Sequence, residues 1–483
     1  MSSVETVDRD ASLGRRVGWI ALGQTCEKVS QLLMIVVLAR VLSSQDWNTL
    51  ALMLTVYVVG VTLASFNLEH SIMYFVPRLD VAQGRALVSR TFISLVGSGF
   101  IAGATLVVLE SAFGLLGSMR LALLLAVAFT AEPPTAICGP TLLARGRVRA
   151  SGTWDASMSV LQLGAVLGPA LAGAGATATV AGLAVAALVR FATSVVVLRP
   201  RLEDLSVADE GMLRSQFMFC IPLGLTLAAG VLAKSADKWM IAVRLPEMVG
   251  TYVVAAQEIP VLAVLPYAGG AAIAVGLVRL LADGHRTTAH RLWIAQVESM
   301  CRIVVPTVLL VALVAPELIR TVFGPAFEPA VVPFRLFVLV SLHRVTEYGA
   351  VLRAAGRVME TVWSGLVLLG SNILLGWTGL VCWGLVGLTS GAVLAFVVSW
   401  IWTLGRIGRV FGEPLHRVFP WGTWCRQVAI SSAAFVAGES VVKVIPPPVP
   451  TVPCKVTVFL GVVAIGAMVI RGSEPGGRGE VTA

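Results

Sequence analysis

Apolar stretches of about twenty residues recur along the whole chain, and the charges gather in the short runs between them. The windows fall at about 17–41, 46–68, 87–109, 120–143, 153–173, 176–198, 216–243, 249–274, 298–316, 331–352, 360–379, 381–404, 426–445 and 454–470. A helix that crosses a bilayer needs about 20 such residues, so the pattern predicts an all-α integral membrane protein with about fourteen transmembrane helices. Some outer connections are very short, Ala174–Thr177 and Trp377–Gly379 among them. The longest inner connection, Arg199–Arg214, carries Glu203, Asp204, Asp209 and Glu210 and divides the spans into six and eight. The expected organisation is a cytoplasmic tail over 1–16, an N-lobe over 17–198, a linker over 199–215 and a C-lobe over 216–404. A cytoplasmic loop over 405–425, two further spans over 426–470 and a cytoplasmic tail over 471–483 complete it.

Sorting Lys and Arg onto alternate sides tests this threading. Twenty-six fall on one side and seven on the other, while Lys28, Lys234 and Lys238 lie inside spans. One missed helix would scramble every later loop, so the asymmetry supports the count and places both termini in the cytoplasm. The first sixteen residues are polar and show no cleavage site of a signal peptide, so they read as a retained tail.

Composition narrows the class further. Apolar residues make up 57% and charged residues 13%, against about 25% charged in ordinary globular chains. With a mean hydropathy of +0.86, a water-soluble globule and a disordered chain are both excluded. The net charge of +9 comes from single basic residues between apolar stretches, so it reads as loop anchoring and not as a nucleic-acid surface. The seven cysteines are scattered, which supports neither a metal site nor a disulfide framework. No segment outside the spans is large enough to fold as a catalytic domain, and no phosphate-binding Gly-x-x-x-x-Gly-Lys-Ser/Thr motif is present. Enzymatic activity is not expected.

Ionisable groups inside a span are costly and face a cavity or a partner. Span one carries Gln24, Glu27, Lys28 and Gln31, at spacings of three, four and seven that share one helix face. Span seven carries Lys234, Asp237 and Lys238 with the same spacing. An internal echo relates the two: Leu38–Leu42 followed by Tyr57–Val59 resembles Val243–Pro246 followed by Tyr252–Val254, so the halves read as parallel repeats. Two polar stripes on equivalent helices suit a water-filled cavity between two pseudo-symmetric lobes. Three ammonium groups and two carboxylates would make it slightly cationic and fit for a diphosphate. Local pairing that locks helices together is the competing reading.

Further candidates are weaker. Asp155, Ser159 and Gln162 share a face of span five, although Asp155 lies near its cytoplasmic end. Glu132 precedes Pro133–Pro134, which should break span four and leave an inward carboxylate as a candidate ion site. Gln257 and Glu258 lie before Pro260 in span eight; His343, Arg344 and Glu347 lie deep in span ten, with Arg353 near its inner end. The pairs Gly99/Gly103, Gly164/Gly168 and Gly387/Gly391 read as close packing. Pro446–Pro448, Pro450 and Pro453 read as a stiff outer turn.

Val37–Ser43, Tyr57 and Phe66–Glu69 resemble the opening of bacterial polysaccharide-biosynthesis flippases of the multidrug/oligosaccharidyl-lipid/polysaccharide exporter superfamily. So do Ile221–Leu223, Ser235–Ile241 and Val249–Tyr252, as well as Phe323–Ala330 and Leu352–Arg357. The likeness reaches about residue 410; Asp46–Trp47–Asn48 departs from it, standing where a glycine-tyrosine pair is common in the family. The resemblance implies two helical lobes around a central cleft in the bacterial inner membrane. It also implies alternating-access transfer of an undecaprenyl-diphosphate-linked oligosaccharide from the inner to the outer leaflet, for exopolysaccharide, capsule or O-antigen assembly. Asp237–Lys238 is the one site position it carries over. Besides that substrate and membrane lipid, a polysaccharide polymerase and a chain-length regulator are the expected partners. No cofactor is expected; a gradient of H+ or Na+ is the candidate driving force, with Glu132 and Asp155 as candidate coupling groups. A multidrug and toxic-compound exporter and a peptidoglycan-precursor flippase are the alternatives within transport. A membrane glycosyltransferase or polymerase would need an external catalytic loop, which the sequence lacks.

Overall fold

In hydrocarbon every backbone N–H and C=O must be paired within the chain, which leaves helices as the way for such windows to cross. The computed structural model describes residues 3–201, 203, 210–442 and 451–473, and these are helical with no strand among them. Of the predicted outer turn, Pro446–Pro448 and Pro450 lie outside the described residues, whereas Pro453 falls inside a helix; the linker acids Asp204 and Asp209 also lie outside them. Nine stretches among the described residues are long and apolar enough to cross a bilayer. The expected fourteen is not established on that measure. Breaks at 256–259 and 341–347 split two of the windows. Two more share the single 54-residue stretch Val358–Phe411, and those at 153–173 and 426–445 lie on helices outside the nine.

The chain divides into two compact units, Met1–Val253 and Val254–Ala483. The first holds α1 (Ser3–Val41), α2 (Ser44–Ser65), α3 (Leu68–Phe75), α4 (Val81–Phe113), α5 (Met119–Ala131), α6 (Cys138–Ala144), α7 (Val148–Leu171), α8 (Gly175–Leu198) and α9 (Glu210–Arg244). α10 (Val249–Ala255) begins there. This division falls beyond the linker at 199–215, because α9 packs on α2 and α3. Gln216 of α9 is buried and donates to Ser71 (2.7 Å) and Thr91 (2.9 Å). Gly224 lies so close to Phe66 that a Cβ would stand 2.8 Å from its ring. Phe66 and Asn67 take left-handed conformations (φ 42° and 61°), a strain of about 1–3 kcal/mol each for a side chain that must hold it. They turn the chain from α2 into α3. Ser43 caps α2 through the backbone N–H of Asp46, and the Asp46 carboxylate in turn accepts from Ala176 N at the start of α8 (2.9 Å).

The second unit holds α11 (Pro260–Ala282), α12 (Arg286–Leu313), α13 (Ala315–Val322), α14 (Val331–Val340), α15 (Tyr348–Ala354) and α16 (Val358–Ser371). They are followed by α17 (Trp377–Phe411), α18 (Leu415–Val418), α19 (Trp421–Val442) and α20 (Thr451–Ser473). Between spans eleven and twelve the sequence places the reversal at Trp377–Gly379, but the structure places it at Trp383–Gly384. There the backbone leaves helical geometry and Gly384 supplies φ 60°. Gly379 instead permits close packing, since a Cβ on it would stand 2.1 Å from the carbonyl of Gly387 across the reversal. Gly391 likewise abuts Leu375 O, and Gly99 and Gly103 seat α4 on α5, whereas Gly164 and Gly168 face open space.

Candidate functional site

α1 packs on α7 along a seam of small residues. A Cβ on Gly152 would meet Trp19 O at 2.2 Å, and one on Gly23 would stand 3.2 Å from Gly152 O. That contact occupies one side of α1 and leaves Gln24, Glu27, Lys28 and Gln31 exposed. The exposed residues pair along the helix: Gln31 donates to Glu27 (3.0 Å), and Lys28 reaches Gln31 (3.5 Å) and Glu27 (3.8 Å). The Lys28 and Glu27 side chains are 67% and 48% exposed. Lys28 lies ten residues into the apolar stretch Gly18–Val41, about 15 Å along the helix, near the middle of a hydrocarbon core of about 30 Å. Glu27 and Gln31 also edge a small cleft against Ser159 and Gln162 of α7. Its volume of about 20 Å³ accommodates a water and excludes a larger ligand.

Behind this cleft stands a part-buried network that the sequence does not announce. Arg190 of α8 pairs with Glu132 and donates to Gln162 Oε1 (2.7 Å) and Met158 O (3.0 Å). The buried Tyr57 of α2 stands beside the same carboxylate. Sorting by side counts Arg190 among the inner-loop arginines. It lies eight residues before the end of α8, about 12 Å inside. The signal was its place within the unbroken apolar window 176–198. Glu132 sits where α5 gives way to the turn Pro133–Ile137, so the proline pair does break the helix, and Arg190 fills the place beside its carboxylate. Asp155 lies on α7 against Gly23 of α1 and Gly139 of α6, with no ion-pair partner among the described residues.

The α9 stripe has another environment. Asp237 is 4% exposed; its carboxylate accepts from Tyr252 Oη of α10 (2.7 Å) and from Lys238 N (2.9 Å). The Lys238 ammonium lies 3.8 Å from it and donates to Lys234 O (2.5 Å), while the Lys234 side chain is exposed. The start of α2 reaches the same turn, where Asn48 donates to Glu247 O (2.8 Å) and accepts from Gly250 N (2.7 Å).

In the second unit, two interrupted helices meet through candidate residues. The chain is non-helical over 257–259, ahead of Pro260, and over 344–347, before α15. Arg344 and Glu258, one from each break, pair at 3.1 Å, both partly exposed. Thr346 donates to Gln296 (2.9 Å), Glu347 pairs with Arg353, and Tyr348 Oη donates to His343 O (2.5 Å). Unwound backbone at membrane depth is tolerated where it is buried in protein or lines a cavity.

Comparison with solved structures gives the class. The lipid II flippase MurJ in an inward closed conformation superposes with a TM-score of 0.69 at 10% identity, covering 94% of this chain and 98% of that one. An inward-facing multidrug resistance MATE family transporter of the MOP superfamily matches with a TM-score of 0.57 at 15% identity, covering 80% and 95%. A MOP superfamily transporter from Pyrococcus furiosus matches with a TM-score of 0.52 at 14% identity, covering 81% and 94%. This is a multi-pass membrane protein with the fold of MOP-superfamily transporters. Sequence comparison with curated proteins finds no match. The profile of the family described as polysaccharide biosynthesis protein matches residues 13–273, more than half of the chain, and the chain belongs to that family.

Proposed function

We propose that the protein is a flippase that moves undecaprenyl-diphosphate-linked oligosaccharide repeat units from the inner to the outer leaflet by alternating access. It resides in the bacterial inner membrane with both termini in the cytoplasm and makes or breaks no covalent bond. Its products go to a polymerase and a chain-length regulator for exopolysaccharide, capsule or O-antigen. The observation that carries the reading is the α1 stripe. An ammonium and a carboxylate near the middle of an apolar helix stand exposed, and charges there cost several kcal/mol against lipid tails. They therefore face water or a polar ligand. In this role Lys28 holds the diphosphate by charge-assisted hydrogen bonds, while Glu27 and Gln31 hold Lys28 in place.

Family membership favours the polysaccharide substrate. The peptidoglycan precursor is the second reading, favoured by the fold match to the lipid II flippase over 94% of this chain, where the multidrug transporter reaches 80%. For coupling to H+ or Na+, Asp155 is the better candidate, because Arg190 already neutralises Glu132.

The test is deletion and complementation in the source cell, with surface polysaccharide and the leaflet distribution of lipid-linked repeat units as readouts. Loss of the gene should trap the repeat units in the inner leaflet, and the wild-type gene should release them. Normal surface polymer in the deletion strain sinks the proposal; trapped lipid II instead would select the second reading.

A further inference from the structure

The end of α2 that touches the start of α8 lies at the opposite end of α7 from the arginine-bearing turn Arg145–Arg147. Within the first unit, this end of α2 and the turn after α9 enclose an open cavity of about 470 Å³, within the range of roughly 300–1,000 Å³ typical of small-molecule sites. Its rim carries Ser44, Gln45, Asn48 and Thr49 from successive turns of α2, and Glu247 from the facing turn. Leu52, Met53 and Val249 are among its apolar lining.

The wall is already fixed. The bonds from Asn48 to Glu247 O and from Gly250 N to Asn48 hold the turn over α2. An amide nitrogen has two N–H groups, so Asn48 retains one beyond its bond to Glu247 O. Thr49 donates its proton to Gln45 O (3.0 Å) and keeps lone pairs that accept. The Glu247 carboxylate has no ion pair among the described residues, and neither Lys nor Arg lines the cavity. A phosphate would meet a carboxylate and find no cation in the lining to neutralise it. A sugar ring presents hydroxyl groups to amides, hydroxyls and a carboxylate, and a C–H face to Leu52 and Met53.

We propose that this cavity is a saccharide-binding site. Its chemistry stands apart from the flippase reading; only its role, holding the sugar end of the translocated unit at the far side, rests on that reading. The experiment uses the full chain in lipid nanodiscs prepared without sugar detergents. Maltose and N,N′-diacetylchitobiose are titrated by calorimetry, beside pyrophosphate and tetraphenylphosphonium. At least one disaccharide should bind with a Kd of about 10 mM or tighter, and pyrophosphate should not compete. Gln45→Leu and Thr49→Val should each weaken binding about tenfold, as the loss of one well-placed hydrogen bond does. Their melting temperatures should stay near that of the wild type, which separates a lost contact from a lost fold. Absence of binding by both disaccharides overturns the proposal, as does equal binding by both variants. Binding of tetraphenylphosphonium in place of sugar would make this a cation site and overturn it too. A protein that flips lipid-linked units yet binds no disaccharide defeats the cavity assignment alone. One that binds disaccharide and flips nothing defeats the proposed function alone.

Discussion

Glu27 and Lys28 on α1, and Asp237 and Lys238 on α9, are both acid–lysine neighbours inside apolar helices, with further polar residues at helical spacing. α1 is held mainly by α7 along its glycine seam, so its charged face stays open. α9 packs on α2 and α3, with Tyr252 of α10 over Asp237, so its acid is buried and satisfied. The same pattern thus yields an accessible charged surface in one helix and an internal clasp in the other. Neighbouring helices decide the outcome, and spacing alone does not. In the first unit the part-buried Arg190–Glu132 pair is a second example of charges clasped between helices.

The largest effect is expected there. Arg190→Met leaves Glu132 without its cation in a site only about an eighth exposed, a loss of about 3 kcal/mol. Thermal unfolding of the purified protein should fall sharply, and the double variant Arg190→Met/Glu132→Leu should recover much of it. A single variant as stable as the wild type would show that this region is wetter than its packing implies. Asp237→Ala comes next. It removes the buried carboxylate to which Tyr252 Oη donates and beside which the Lys238 ammonium lies, with a cost of about 1–3 kcal/mol. The loss should appear in unfolding temperature and membrane yield.

Lys28→Ala sharpens the contrast from the other side. An exposed pair contributes about 0–1 kcal/mol to stability, so unfolding should barely change. Surface polysaccharide output should fall by about ten- to a hundredfold, the value of one charge-assisted hydrogen bond to the substrate. Wild-type output at normal protein level would remove Lys28 from the site. A large loss of stability would mean that the α1 stripe is structural after all.

Most of the helices were legible in the sequence, because hydrocarbon leaves the backbone no other solution. The shared face of Gln24, Glu27, Lys28 and Gln31 was legible too, because helical period fixes it. Exposure was not, since it depends on which side of α1 meets α7. Arg190 escaped because a guanidinium near a helix end reads as a loop anchor until its partner on another helix is seen. The reversal at Trp383–Gly384 escaped for a related reason: Gly379 and Gly384 are the same letter, and only the fold shows that one packs and the other turns. The windows 249–274 and 331–352 each read as one span; Pro260 marks the break in the first, whereas the unwound stretch 341–347 contains no proline or glycine to mark it.

The smallest effect comes from Tyr252→Phe, which removes a single hydroxyl. Asp237 keeps Lys238 N and the nearby ammonium, so the cost should be about 1–2 kcal/mol, that of one buried hydrogen bond whose acceptor retains other partners. If the α9 acid is only a clasp, polysaccharide output should match the wild type once protein levels are equalised, while unfolding shifts modestly. Asp237→Asn makes the complementary change, keeping an acceptor for Tyr252 but discarding the charge. Loss of output in Asp237→Asn with full output in Tyr252→Phe would place the α9 carboxylate in the transport cycle alongside Lys28. Normal output in both would leave the α1 stripe as the charged surface that contacts substrate and confine α9 to holding its own helix pair together.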